Sequence, residues 1–180
     1  MRAYGFDPGL RHGVLLLADF DEKAQKAKVE VCYQWTKKDD HLSMQATPLD
    51  LAIFTDKIIG KLTEPALGLG IEWDSKSVYM KTHKVQVVVT SFMIGYLSRG
   101  AQARGLPLVF VTPAQLKSYF GISNKEGKDY MNRMIPDLYG WDLPDTIYKD
   151  SDVFDAFLIS YFTWRMSNES VPPTPALSGK

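Results

Sequence analysis

The chain predicts an α/β fold built on a five-stranded mixed sheet, and three observations carry that prediction. Its first third holds three short β-prone runs, and its middle alternates apolar runs with helical stripes. Its 180 residues, 45% of them hydrophobic, suffice for one core in one domain.

The elements follow in order. Residues 3–6, 12–18 and 28–35 read as strands, and the polar turn 19–26 joins the last two as an antiparallel hairpin. Asp7-Pro8-Gly9 ends the first strand: Pro8 removes a ladder donor and favours an extended Asp7, while Gly9 permits a tight turn close to a ligand. Residues 48–62 place Leu49, Ile53, Ile58, Ile59 and Leu62 at roughly helical spacing, with Thr47 as cap and Pro48 in the first turn, so this helix is expected to lay one face on the sheet. Residues 66–73 and 107–111 are apolar runs suited to interior parallel strands. Between them, residues 81–104 mix strand propensity with a helical stripe through Val85, Val88, Val89, Phe92, Met93, Tyr96 and Leu97. A helix is expected, because a crossover between parallel strands normally needs one.

Thr112-Pro113 opens a short helix through Tyr119, residues 121–127 read as a basic loop, and residues 128–138 and 153–164 read as further helices. The stretch 167–180, with Pro172, Pro173 and Pro175, reads as a disordered tail, which leaves 1–166 as the domain. Three antiparallel strands, then two parallel strands alternating with helices, is the order of the ribonuclease H-like fold.

Charge is balanced at 21 basic and 21 acidic residues, without the global positive excess of a dedicated nucleic-acid binder. The distribution is uneven: residues 76–133 hold nine Lys or Arg against Glu126 and Asp129. Solvated helix faces would explain that excess, and so would a phosphate-binding surface. The single Cys32 has no partner for an intramolecular disulfide or a thiolate zinc site and reads as a buried structural thiol. With no signal-peptide pattern and no run of eighteen apolar residues, the protein is expected to be cytoplasmic and to engage no membrane.

Four acidic residues carry the functional signal. Asp7 closes the first predicted strand, Glu72 the fourth, and Asp152 with Asp155 fall on one face of the last helix. A carboxylate ending an apolar strand, as Glu72 does, is costly unless hydrogen-bonded, protonated or bound to a cation. Asp152 and Asp155 taken alone read equally as helix caps. Together the four match the hard oxygen donors preferred by magnesium or manganese, and a pair of such ions can hold both the attacking and the leaving oxygen of a phosphodiester.

At these residues the sequence resembles the RuvC family of Holliday junction resolvases. The matching stretches are GFDPGLRHGVLLL, GIEWDSKSV, RGAQARGLPLVFVTPAQLKSYFG and SDVFDAFLISYF, in order over about residues 3–165. The resemblance implies a metal-dependent homodimeric endonuclease of DNA recombination and repair, which hydrolyses phosphodiesters and cuts four-way DNA by paired symmetric nicks. It implies Asp7, Glu72, Asp152 and Asp155 as ligands of two Mg2+ or Mn2+ ions, and Lys117 and Lys128 as basic residues beside the scissile phosphate. Lys76, Lys81, Lys84, Lys125 and Arg133 are weaker candidates for contacts along the DNA arms. The match departs from the family at Leu10-Arg11-His12-Gly13, where His12 reads as structural, and at Ser75, which aligns with the family's aromatic wedge at the junction centre. Trp73 or Tyr79 is the candidate replacement, though Trp73 also reads as core packing at a strand end. The helix over 81–104 is the expected dimer interface.

Competing readings are a less specific nuclease that debranches DNA, a silent junction-binding scaffold, and an actin-like sugar kinase. The kinase needs two such domains and a second nucleotide motif, for which 180 residues leave no room.

Overall fold

The computed structural model describes residues 1–9, 12–36, 46–73, 84–123 and 140–168, with backbone alone at 84–86 and Thr146. Strands β1 (Arg2–Asp7), β2 (Gly13–Asp21) and β3 (Lys26–Trp35) form the antiparallel start. Helix α1 (Pro48–Ile59), strand β4 (Leu69–Glu72), helix α2 (Lys84–Gln102), strand β5 (Leu108–Val111) and helix α3 (Pro113–Tyr119) follow. Two helices complete the described chain, α4 (Asp145–Lys149) and α5 (Ser151–Asn168).

The sheet order is β3-β2-β1-β4-β5, with β1 antiparallel to β2 and parallel to β4, and β4 parallel to β5. This is the expected five-stranded mixed sheet. Alternation along the strands sends Tyr4, Phe6, Leu69 and Ile71 to one face, where they pack with α1 and α2. Ala3, Val14, Leu16 and Ala18 go to the other face, under α5. Residues 84–102 are helical, as the crossover requirement predicts: α2 carries the chain from β4 to its parallel neighbour β5.

Helix α5 lies close on the sheet because glycines meet it. A Cβ on Gly5 would overlap the Ala156 carbonyl, and one on Gly70 would overlap the Thr163 hydroxyl. The helix is apolar almost all round, and its outer flank is closed by aromatic packing. Phe20 stacks on Trp164 at 4.8 Å between centroids and meets Trp141 edge-on at 5.7 Å. Trp141 comes from a segment that docks on the β2–β3 hairpin, where the Asp142 N–H donates to the Gln25 carbonyl at 3.1 Å.

Several expectations are corrected. Helix α1 buries Leu51, Phe54, Thr55, Ile58 and Ile59 and leaves Leu49 and Ile53 exposed, because those two project from a different side of the helix. Helix α4 was not foreseen: five residues are too few to show a period. Helix α5 begins at Ser151 and runs through Asn168, so Ser167 belongs to the helix and not to a tail. The predicted helix over 128–138 and the tail from residue 169 lie outside the described residues. No helix among the described residues is long and apolar enough to cross a membrane.

Candidate metal centre

The site is built at the carboxyl ends of the parallel strands. Asp7 is the last residue of β1, and Glu72 is the last of β4. Phe6 pairs with Ile71, so one step further Asp7 and Glu72 stand side by side. Because Phe6 and Ile71 face α1 and α2, strand alternation turns both carboxylates toward α5. The turn beyond Asp7 is held by backbone contacts. Gly9 has no room for a Cβ against the His12 carbonyl, and Trp35 donates its indole N–H to the Gly9 carbonyl at 3.1 Å.

Helix α5 supplies the other two acids, and neither of them is its cap. Asp150 caps the helix: its Oδ1 accepts the N–H of Asp152 at 2.9 Å and of Val153 at 3.4 Å. Asp150 Oδ2 accepts the Gln34 side-chain amide at 2.7 Å. Capping is thus accounted for by Asp150, and Asp152 and Asp155 share the helix face turned to the sheet. Carboxylate oxygens of Asp7, Asp152 and Asp155 lie within 4.8 Å of one another, each residue half-buried. Glu72, the fourth predicted ligand, is not part of this group; it ends β4, the parallel neighbour of the strand that Asp7 ends.

Three carboxylates this close repel one another at neutral pH, the more so when partly shielded from water. A divalent cation offsets that repulsion, and an all-oxygen donor set suits magnesium, manganese or calcium better than softer metals. The residues therefore fit a hard divalent ion.

The remaining candidate residues fall in different places. Lys117 is half-buried on α3, a helix that starts directly beyond the Glu72–Val111 strand pair and thus leaves the sheet at the carboxyl ends of its parallel strands. Lys84 is the first residue of α2, described by its backbone. Lys76, Tyr79, Lys81, Lys125, Lys128 and Arg133 lie outside the described residues. Trp73 is half-buried and packs against the α1–α2 core, on the sheet face away from the carboxylates. Cys32 is half-buried, not buried as expected; desolvation pushes its thiol up to about 11, and Glu30 adds to the shift. Gln34, Trp35 and Asp150 were missed. A polar residue just before an apolar helix was a readable cap signal for Asp150, whereas the roles of Gln34 and Trp35 depend on strand register.

Strand order, helices on both faces and acids at the strand tips define a ribonuclease H-like fold. Within that class the chain has the fold of RuvC resolvases. It superposes on a Thermus thermophilus RuvC structure with a TM-score of 0.67 at 18% identity, covering 92% of this chain and 96% of that one. T. thermophilus RuvC in complex with Holliday junction substrate gives 0.59 at 16%, with the same coverage. The yeast mitochondrial Holliday junction resolvase Ydc2 gives 0.57 at 18%, covering 91% of this chain and 78% of that one. No protein-family model and no curated protein sequence matches the chain.

Proposed function

We propose that the protein is a metal-dependent endonuclease that resolves four-way DNA junctions by paired nicks. The observation that carries this reading is the convergence of Asp7, Asp152 and Asp155 at the sheet tip, in a fold shared with a RuvC solved on Holliday junction substrate. These three residues, with Glu72 from the end of the adjacent strand β4, would hold one or two Mg2+ or Mn2+ ions. Such ions stabilise the attacking and leaving oxygens of phosphodiester hydrolysis. The carboxylates fix the geometry, and the half-buried Lys117 adds positive charge where the phosphate becomes more negative. Lys76, Lys81, Lys84, Lys125, Lys128 and Arg133 are the candidate phosphate contacts, which would position the DNA without reading sequence.

Paired nicks need two sites, and a homodimer supplies them on a two-fold axis that matches the junction's own. Helix α2 offers the surface: Val88, Phe92 and Tyr96 are exposed one turn apart, Phe92 and Tyr96 stack with centroids 6.1 Å apart, and Gly95 leaves open space between the turns. One observation favours a looser debranching nuclease as the second reading. Trp73, a candidate wedge, packs toward the core and away from the carboxylate face.

The test is cleavage of labelled four-way, three-way and linear DNA with and without Mg2+ or Mn2+. Asp7→Asn and Glu72→Gln should abolish nicking yet still retard four-way DNA in a gel, because metal and DNA are held by different groups. Wild-type nicking in either variant would remove that residue from the metal site. Equal cleavage of three- and four-way DNA would favour the looser nuclease.

A further inference from the structure

The carboxyl end of β3 reaches the metal centre through a bond that spans most of the chain. Two strand pairings define one row across the sheet: Asp7 pairs with Val14, and Val14 pairs with Gln34. Paired residues on neighbouring strands share a face, so Gln34 and Asp7 both face α5, two strands apart. From that position the Gln34 amide donates to Asp150 Oδ2 at 2.7 Å, across 116 residues of sequence. The other oxygen of the same carboxylate accepts the N–H of Asp152 at 2.9 Å. A single carboxylate thus links the sheet row that carries Asp7 to the helix end that carries Asp152.

We infer that Gln34 and Asp150 are positioning residues for the metal centre, which fix the first turn of α5 over the tip of β1. The inference rests on the metal reading of Asp7, Asp152 and Asp155. A helix cap by itself needs only one acceptor oxygen, which Asp150 Oδ1 provides. The Gln34 bond adds nothing to the cap. It does restrict where the capped end sits relative to Asp7, whose oxygens must stay within 4.8 Å of those of Asp152 and Asp155. Gln34 is exposed, so its loss leaves the core intact. Groups that orient metal ligands typically change metal affinity by tenfold or more when removed.

The experiment is a Mn2+ titration of the full chain followed by electron paramagnetic resonance, with urea unfolding in parallel. Gln34→Leu should weaken Mn2+ binding roughly tenfold at nearly unchanged stability. Gln34→Glu should weaken it too, although the added negative charge would by itself attract a cation, because two carboxylates would then face each other. The Gln34→Glu, Asp150→Asn double variant has the wild-type net charge and restores the bond with reversed polarity, so it should recover most of the affinity. Wild-type affinity in both Gln34 variants, or a double variant no better than Gln34→Glu, overturns the positioning role. Wild-type protein that binds no Mn2+ overturns the metal reading, and the inference with it.

Discussion

At the scale of single residues, position within an element separates candidate metal ligands from a helix cap. Asp150, Asp152 and Asp155 stand within six residues on one helix end, yet they divide their tasks. Asp150 satisfies backbone N–H groups at 2.9 and 3.4 Å, which leaves the other two on the sheet-facing side with Asp7. Lys117, half-buried on α3, is the basic residue proposed to act with these acids. Lys117→Ala should lower the cleavage rate by roughly 100-fold, the size seen when one preorganised charge is lost, with much less effect on DNA affinity. Single-turnover rates set against gel-shift affinities measure the two separately. A purely affinity-based loss would make Lys117 an ordinary phosphate anchor.

At the scale of elements, helix α2 shows how one stripe serves two surfaces. Val89, Met93 and Leu97 are buried against α1 and the sheet, while Val88 is 67% exposed and Phe92 and Tyr96 lie at its side of the helix. A charge at position 89 therefore does not test a dimer interface, since it would enter the protein's own core. Val89→Glu should destabilise the fold by on the order of 3–5 kcal/mol through an unpaired buried charge. Val88→Glu should leave urea unfolding unchanged at low protein concentration and shift light scattering from dimer to monomer. A monomeric wild type would exclude this face as the interface. The α5–sheet contact gives a further test, because the Gly5 Cβ position is occupied by backbone of the facing helix. Gly5→Ala should cost about 3 kcal/mol in urea unfolding, at the upper end of overpacking, and should weaken Mn2+ binding as α5 is pushed away.

At the scale of the whole molecule, much of the fold was legible in the sequence for a physical reason. Strands and helices differ in period, and Asp7-Pro8-Gly9, Thr47-Pro48 and Thr112-Pro113 mark ends by local backbone chemistry. Both threonine caps form with reciprocal side-chain bonds from Asp50 and Gln115. Crossover geometry then selected helix over strand for α2, although its valines favour strands. The carboxylates were legible as well, since charged residues at the ends of apolar runs need a reason to be there. Other features depended on register and packing between segments far apart in the chain. Which side of α2 faces inward, the turn of Trp73 toward the core, and the trio of Asp7, Asp152 and Asp155 required the sheet order and the α5 contact. The link from Gln34 to Asp150 is the plainest case: no local pattern marks either partner for the other, and only the row of paired strands brings them to 2.7 Å. The sequence by itself determined most of the elements and the candidate acids, because periodicity, caps and charge are local properties. The tertiary structure alone decided which acids converge and what holds them, because that depends on strand register and on how closely α5 can approach two glycines.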